Sequence, residues 1–208
     1  MFEIRQCTRP DCRLRLPIDP AVQRGAYCPR CGAPMGLMKT FFQHKEHSTN
    51  EVPKRELSVL LDNLRSVYNT GAIFRTADGV GVTHLYLGGI TPNPADNSAI
   101  QKTALGAEEI IPWSVHLDAV SLAVEMRAEG YQLVALETTP GSISLFKANL
   151  DLLGESPILL IVGNELAGID PGLIDLCDLV LEVPMVGSKA SLNVAVAFGV
   201  AAYWLAFS

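Results

Sequence analysis

The pattern of apolar and polar positions is clearest in the last quarter of the chain. Residues 158–162 and 179–183 form two short apolar runs, and each run ends in a polar loop that contains glycine. Runs of this length that are rich in β-branched residues predict strands buried on both faces. Because open parallel sheets bind their ligands at the carboxyl ends of the strands, we expect the functional site beside these two loops.

The last apolar stretch, residues 194–207, predicts a helix that has no polar face. Its fourteen residues are too few to span a bilayer. We therefore expect a helix that is buried on every side, and no association of the chain with a membrane.

Further strands and helices alternate upstream. Short apolar runs predict strands, and periodic or capped segments between them predict helices. The predicted strands are residues 57–61, 84–88, 110–113 and 132–136, and the predicted helices are residues 67–80, 103–107 and 118–129. Residues 92–102 predict a long loop that is either mobile or in contact with the substrate. This alternation predicts a parallel α/β sheet flanked by helices over residues 57–208, preceded by a polar linker over residues 37–56.

The amino-terminal region contains a cluster of cysteines. Cys28 and Cys31 have the separation of two residues that is typical of a zinc knuckle, and four residues separate Cys7 from Cys12. No apolar signal segment precedes them, so we expect a cytoplasmic protein, in which disulfides are rare. We therefore predict a small four-cysteine zinc ribbon over residues 1–36, with metal supplying its folding energy. Four unligated thiols in a disordered arm are the alternative.

The charge of the chain is unevenly distributed around a net value of −6. Residues 1–65 carry eleven lysines and arginines against seven acidic residues, whereas residues 66–208 carry five against fifteen. A basic front on an acidic body is typical of a protein that meets a polyanion with one end. The arginines of the predicted ribbon either contact nucleic-acid phosphates or only keep a small domain solvated, and they are Arg9, Arg13, Arg15, Arg24 and Arg30.

Three sequence blocks place polar residues next to predicted strands and helices. Residues 69–78 read NTGAIFRTAD, residues 161–169 read IVGNELAGI, and residues 183–197 read VPMVGSKASLNVAVA. In this order they resemble motifs 1, 2 and 3 of the SpoU/TrmH class of the SPOUT superfamily, whose members are RNA ribose 2′-O-methyltransferases that use S-adenosylmethionine. The resemblance covers residues 57–208. It implies tRNA or rRNA as the substrate, a deep trefoil knot near the C-terminus, and a homodimer joined through the knotted region, with the site shared between protomers.

The resemblance assigns catalytic positions to Arg75, Asn69, Glu165, Ser191 and Asn193. Because a guanidinium with a pKa above about 12 is a poor base, we expect Arg75 to bind phosphate and to stabilise the developing alkoxide; a surface ion pair is the alternative. Asn69 and Asn193 are expected to hold sugar or phosphate, and Glu165 to fix loop geometry or bind the cofactor. Ser191 is expected to bind phosphate or to cap the last helix. Asn69 and Arg75 converge only if Asn69 lies at or before the first helical turn.

The same resemblance implies that backbone groups of Thr138, Gly163, Val183 and Leu192 hold S-adenosylmethionine. Glycine suits position 163 because a backbone that approaches a ligand closely has no room for a Cβ atom. For Val183 and Leu192, packing in the core is the alternative. Leu166 departs from the family, many members of which have glycine after the glutamate.

Two other functions stay open. The chain can be a base methyltransferase of the same superfamily, or a catalytically silent RNA-binding scaffold. The ribbon differs from the extensions of the better-known members, so the RNA substrate is not identified.

Overall fold

The computed structural model describes residues 2–21, 25–41 and 51–208. The chain forms two compact units, Met1–Glu51 and Val52–Ser208. Arg24 and residues 42–50 of the predicted linker lie outside the described residues.

The first unit contains a small antiparallel sheet. Its strands lie in the order β2-β1-β3, and they are β1 (Phe2–Cys7), β2 (Arg15–Ile18) and β3 (Met35–Phe41). Among the described residues, the buried hydrophobic cluster of the unit contains Cys7, Cys28 and Met35, with a few half-buried side chains around them. So small a core needs a further crosslink to stay folded.

The sheet of the first unit extends past the boundary predicted from the sequence. Residues 37–41 belong to β3, in which Leu37 pairs with Arg5 and Lys39 with Ile4. The register shifts between these pairs, and Leu37 and Met38 are both more than half exposed. An irregular, exposed strand lacks the alternation by which strands are predicted, so the sequence placed these residues in the linker.

The second unit contains a seven-stranded sheet whose pairings are all parallel, in the order β6-β5-β4-β9-β7-β10-β8. The strands are β4 (Leu57–Asp62), β5 (His84–Gly88), β6 (Trp113–His116), β7 (Gln132–Leu136), β8 (Ile143–Ser144), β9 (Ile158–Val162) and β10 (Leu179–Glu182). The helices are α1 (Val67–Val80), α2 (Gln101–Ala104), α3 (Ala107–Ile110), α4 (Ala119–Ala128), α5 (Pro171–Ile174) and α6 (Val194–Phe207). The predicted parallel sheet flanked by helices is confirmed.

Both faces of the central strands are covered. In β9, Leu160 packs into the hydrophobic cluster on the side of α1 and α6, whereas Leu159 and Ile161 pack into the cluster on the side of α4 and α5. Every residue of β4 and β9 is buried. This explains why these strands are continuous apolar runs in the sequence.

Two segments differ from their predictions. Residues 98–100 form a 3₁₀ turn and α2 begins at Gln101, so the predicted long loop is partly helical and Thr103 lies inside a helix. The strand predicted at residues 110–113 begins instead at Trp113, because residues up to Ile110 complete α3.

Helix α6 is capped by Asn193 and not by Ser191. The side-chain Oδ1 of Asn193 accepts hydrogen bonds from the backbone N–H groups of Ala195 (3.0 Å) and Val196 (3.4 Å). One side of this helix is open, since Val196 is 54% exposed and Tyr203 is 48% exposed. The expected burial on every side is therefore not achieved within a single chain. Within the described part of the chain, every helix is too short or too polar to cross a membrane.

Candidate active site

A cleft of about 430 Å³ lies at the carboxyl ends of β7, β9 and β10, beside the first turns of α1 and α6. All four predicted cofactor positions line it, as do four of the five predicted catalytic positions. These residues are Thr138, Gly163, Val183, Leu192, Asn69, Glu165, Ser191 and Asn193. Polar groups from all three sequence blocks therefore meet at one edge of the sheet.

A chain of hydrogen bonds connects the three blocks. The carboxylate of Glu165 accepts from the side-chain Nδ2 of Asn69 (3.0 Å) and from the backbone N–H groups of Arg65 (2.9 Å) and Ser66 (3.1 Å). The Oδ1 of Asn69 accepts in turn from Nδ2 of Asn193 (3.0 Å). Each block supplies one member of this chain.

The partners at both ends determine how the two amides point. A carboxylate only accepts hydrogen bonds, so Asn69 must present its NH₂ group to Glu165 and its oxygen to Asn193. Asn193 must present its oxygen to the N–H groups at the start of α6, which leaves its NH₂ group for Asn69. The two requirements agree, so all hydrogen bonds from Asn193 through Asn69 to Glu165 run from donor to acceptor in the same direction.

Glu165 stays ionised at neutral pH. Its partial burial raises the pKa of the carboxyl, but hydrogen bonds from the Arg65 backbone, the Asn69 side chain and the Ser66 backbone outweigh burial and lower the pKa below its ordinary value. Ser66 caps α1, so the carboxylate also lies near the positive end of that helix. The geometry supports a structural role for Glu165 in joining motif 2 to motif 1.

We expect Glu165→Gln to lower the stability of the second unit by about 1 kcal/mol at pH 7, because an amide replaces a carboxylate that accepts three hydrogen bonds at a partly exposed site. The lowered pKa of Glu165 stabilises the folded protein above pH 4.5, and this contribution is lost as pH falls through the folded-state pKa. The difference in Tm between wild type and variant should therefore shrink below pH 4.5. A difference that is constant from pH 7 to pH 3 would contradict this role.

The loop of motif 2 (residues 163–169) is closed on itself. The Oδ1 of Asn164 accepts from the N–H groups of Leu166 and Ala167 (both 2.9 Å), and its Nδ2 donates to the carbonyl of Asn63 (2.6 Å). A Cβ atom on Gly163 would lie 2.5 Å from the backbone of Gly168. Glycine is thus required at position 163 by the loop's own backbone, independently of any ligand.

Leu166 fits this loop without distortion. Its side chain is 80% exposed, so it extends into solvent at the position where many family members have glycine. The departure leaves Glu165 and Asn164 in place.

Two glutamates of the cleft were missed by the sequence analysis. Glu137, at the end of β7, accepts hydrogen bonds from the N–H groups of Thr138 (2.9 Å) and Ile169 (3.1 Å). Glu182, at the end of β10, accepts from the hydroxyl of Ser142 (2.8 Å). The signal was their position, since Glu137 directly follows one predicted strand and Glu182 is the next-to-last residue of another. Together with Glu165 they make the cleft electronegative, and the described residues that line it include no lysine or arginine.

Arg75 is the one predicted catalytic residue that does not line the cleft. Asn69 lies in the first turn of α1, but Arg75 lies six residues further along, about 9 Å along the helix axis. Its side chain is exposed and makes no ion pair or hydrogen bond with the described residues. Within a single chain, Arg75 and the cleft are therefore not brought together.

Arg75 instead directly precedes Thr76 in α1, and Thr76 lines an open surface between α1 and α6, which we name the α1–α6 strip. The strip consists of Ala72, Thr76, Ala195, Val196, Gly199, Val200 and Tyr203, and it ends at Asn69 and Asn193. Those two asparagines also line the cleft. The strip and the cleft therefore meet at the hydrogen-bonded chain.

The four amino-terminal cysteines form a compact cluster. The sulfur atoms of Cys7, Cys12, Cys28 and Cys31 all lie within 4.8 Å of one another. The Cys7–Cys31 pair is 3.5 Å apart and the Cys12–Cys28 pair is 3.7 Å apart. Tetrahedral zinc with bonds of about 2.3 Å requires sulfur–sulfur distances of about 3.8 Å, so the cluster fits this ion.

One of these thiols loses its proton more easily than an ordinary cysteine. Burial raises the pKa of Cys28, but backbone N–H groups of Arg30 and Cys31 outweigh burial and lower it to about 7. Burial raises the pKa of Cys7. A bound cation would be needed to deprotonate the whole set.

The parallel sheet, the cleft at its carboxyl edge and the three blocks joined there define a methyltransferase domain of the SpoU class. Residues 56–203 match the SpoU rRNA Methylase family, and the chain belongs to that family.

Relatives within the family are named for two kinds of RNA. The chain is 31% identical over 154 residues to the tRNA (guanosine(18)-2′-O)-methyltransferase of Aquifex aeolicus, which covers 74% of this chain and 70% of the relative. It is 34% identical over 147 residues to the 23S rRNA (guanosine(2553)-2′-O)-methyltransferase RlmP of Bacillus subtilis, covering 71% and 56%. The chain therefore spans little more than half the length of the second relative.

The fold also matches a solved structure that contains the cofactor. The AdoMet-bound rRNA methyltransferase from Sinorhizobium meliloti aligns with a TM-score of 0.65 and 29% identity, over 72% of this chain and 55% of that chain. AdoMet is S-adenosylmethionine, so a related fold holds this molecule.

Proposed function

We propose that the protein transfers a methyl group from S-adenosylmethionine to a ribose 2′-hydroxyl of tRNA or rRNA. The observation that carries this proposal is the hydrogen-bonded chain of Glu165, Asn69 and Asn193 beside an electronegative cleft. The named functions of the relatives support it.

S-adenosylmethionine fits the cleft by charge and by the exposed backbone around it. When bound, it supplies an activated methyl group on a sulfonium cation. The carboxylates of Glu137, Glu165 and Glu182 favour a cation in this cleft. Thr138, Gly163, Val183 and Leu192, whose backbone groups the resemblance assigns to the cofactor, lie along its wall.

The polar residues at the rim then position the RNA. The side-chain oxygen of Asn193 accepts hydrogen bonds at the start of α6, and its NH₂ group donates to Asn69. The NH₂ groups of Asn193 and Asn69 are therefore fixed in direction. Ser191 is exposed at the cleft, makes no hydrogen bond with the described residues, and is free to donate to a phosphate or ribose oxygen. Fixed donors at the reacting group lower the cost of orientation.

We also propose that two copies of the chain form a homodimer across the α1–α6 strip. Val196 and Tyr203 of an apolar helix lie exposed there, and a second copy would cover them. Because the strip ends at Asn69 and Asn193, a partner seated on it brings its own Arg75 toward the cleft. The active site would then combine the cleft of one protomer with Arg75 of the other.

The trefoil knot implied by the resemblance is part of the proposal. β10 lies beyond β7 in the sheet, yet α6, which follows it, packs against α1, β4, β7 and β9. Residues 183–193 must therefore return past the strands beside the motif 2 loop. A return past loops already formed is the arrangement that a knot requires.

Zinc is the proposed metal of the first unit, held by Cys7, Cys12, Cys28 and Cys31 in a ribbon. The spacing of the sulfur atoms and the small core of the unit support this. The ion would serve structure and would take no part in methyl transfer.

The test is a methyl-transfer assay with labelled S-adenosylmethionine on total tRNA and total rRNA, followed by mass spectrometry of the nucleosides. We expect a 2′-O-methylated nucleoside from one RNA class. Label on a base would instead support a base methyltransferase. No transfer, together with no binding of S-adenosylmethionine by calorimetry, would support an RNA-binding scaffold.

A further inference from the structure

The cysteine cluster lies at one end of the first unit, which we name the knuckle end (residues 8–13 and 27–34). Three arginines lie there: Arg9 is two residues from Cys7, Arg13 follows Cys12, and Arg30 lies between Cys28 and Cys31. The sulfur atoms converge within 4.8 Å, and consecutive Cα atoms are only about 3.8 Å apart. The three arginines are therefore grouped around one point, and all are exposed.

The side chains of these arginines have no polar partner among the described residues. Among the described residues, Arg9, Arg13 and Arg30 form no ion pair and donate no side-chain hydrogen bond, whereas Arg5 is paired with Glu3. Asp11 is the only acidic residue of the knuckle end. Free guanidinium groups that point to solvent attract an anion with several phosphates.

The backbone of Arg13 indicates that its side chain is present for something other than folding. Its φ angle is 46°, in the left-handed region that favours glycine. The corresponding position of the other loop, directly after Cys31, is Gly32 with a φ of 72°. Glycine would therefore suit position 13 better, and arginine there costs conformational free energy. What the arginine adds is an exposed charge.

An exposed aromatic ring lies among these charges. Tyr27 directly precedes Cys28, and its backbone forms a bridge with Pro34 across the loop. The side chain is 68% exposed. Aromatic rings beside arginines form stacking platforms for unpaired bases, which every base can use because each has a π-face.

We infer that the knuckle end binds an unpaired segment of RNA, with Arg9, Arg13 and Arg30 on its phosphates and Tyr27 stacked on a base. This inference extends the proposed function. It rests on that function for one point, namely that the bound RNA is the substrate of methyl transfer. An acidic protein surface would satisfy the arginines but would leave the tyrosine ring without a partner. The ribbon thereby adds RNA affinity to a chain whose second unit is acidic overall.

The test measures RNA binding directly, on the full-length, zinc-containing protein. The probe is a fluorescent 12-nucleotide RNA of mixed sequence, used unpaired and annealed to its complement, with anisotropy as the readout. Arg13→Gly should weaken binding to the unpaired RNA about three- to tenfold, and the slope of log K against log salt should fall by about 0.7. Tyr27→Leu should weaken binding of the unpaired RNA about tenfold and that of the duplex much less.

Two controls separate binding from folding. Arg13→Gly removes backbone strain, so its zinc content and Tm should equal or exceed those of wild type. Lys39→Ala removes the same charge from β3, four residues and about 13 Å along the strand from Met35, and should bind RNA like wild type.

Wild-type binding and an unchanged salt slope in Arg13→Gly and Tyr27→Leu would overturn the inference, even if the enzyme methylates RNA. If Tyr27→Leu weakened binding of duplex and unpaired RNA equally, the inference that the bound RNA segment is unpaired would be wrong. If both variants lose RNA binding but no RNA is methylated, the knuckle end still binds RNA and the proposed function fails.

Discussion

Arg75→Ala is expected to reduce the kcat of methyl transfer about a thousandfold or more while the Kd for S-adenosylmethionine stays within about twofold. Arg75 does not line the cleft of its own chain, so its removal leaves the walls of that cleft intact. A guanidinium that binds phosphate and developing alkoxide contributes only once RNA is present and reacting. Turnover under saturating cofactor and calorimetry with S-adenosylmethionine measure the two quantities separately.

If the active site is shared between protomers, mixed dimers provide a second and more stringent test of Arg75. If Arg75 serves the cleft of the other protomer, a dimer of one Arg75→Ala chain and one Glu165→Ala chain contains one intact site. Random mixing of two inactive variants by coexpression should then restore about a quarter of wild-type activity, because half of the dimers are mixed and each has one working site. If Arg75 serves its own chain, no mixed dimer has an intact site.

A matched control is available in the same unit. Arg127 is another exposed arginine, paired with Asp178 at 3.6 Å and absent from the cleft and from the α1–α6 strip. Arg127→Ala should leave kcat within about twofold, since exposed ion pairs contribute little. Near-wild-type turnover of Arg75→Ala would show the catalytic assignment to be wrong, and loss without restoration in mixed dimers would show that the site is not shared.

The sequence predicted most accurately the strands that are buried on both faces. β4 and β9 are buried along their whole length, so an unbroken apolar run was enough to find them. The part of β3 that was placed in the linker was missed because Leu37 and Met38 are exposed and the register shifts, which removes the period that a strand prediction needs. Prediction followed the hydrophobic pattern and failed where a strand does not depend on it.

Polar contacts of the site depend on neighbours that are distant in the sequence. Glu137 reaches Ile169 only because β7 and β9 lie side by side, and the strand order 4-9-7 cannot be inferred from the order along the chain. The cap of α6 also depends on a distant residue. Asn193, and not Ser191, caps the helix, and the NH₂ group of Asn193 donates to Asn69. Val183 and Leu192 were named from the resemblance alone, and no periodicity would have selected them. Their roles, like those of the other site residues, stay predictions.

The largest structural effect is expected from Cys28→Ser. This substitution removes a buried ligand from the four-cysteine cluster, and a serine hydroxyl binds zinc far more weakly than a thiolate. Because few side chains of the first unit are buried among its described residues, loss of the metal should unfold it as a whole. The second unit has its own core on both faces of its sheet and should keep its unfolding transition within about 2 °C.

Cys177→Ser is the matched control for this prediction. Cys177 lies in the second unit, where burial raises its pKa to about 12 and its thiol donates to the carbonyl of Leu173 at 3.2 Å. A hydroxyl can replace that donor, so the variant should contain as much zinc as wild type. Zinc is measured by elemental analysis after purification without chelator, and folding of each unit by hydrogen exchange.

The two readouts together decide what holds the first unit. Zinc near one equivalent in wild type and Cys177→Ser, and absent in Cys28→Ser with fast exchange confined to residues 2–41, would establish a metal-dependent fold. Wild-type protein that contains no zinc would refute the ribbon. Slow exchange in metal-free Cys28→Ser would mean that the β2-β1-β3 sheet is stable without the ion, which the small core of the described residues makes physically difficult.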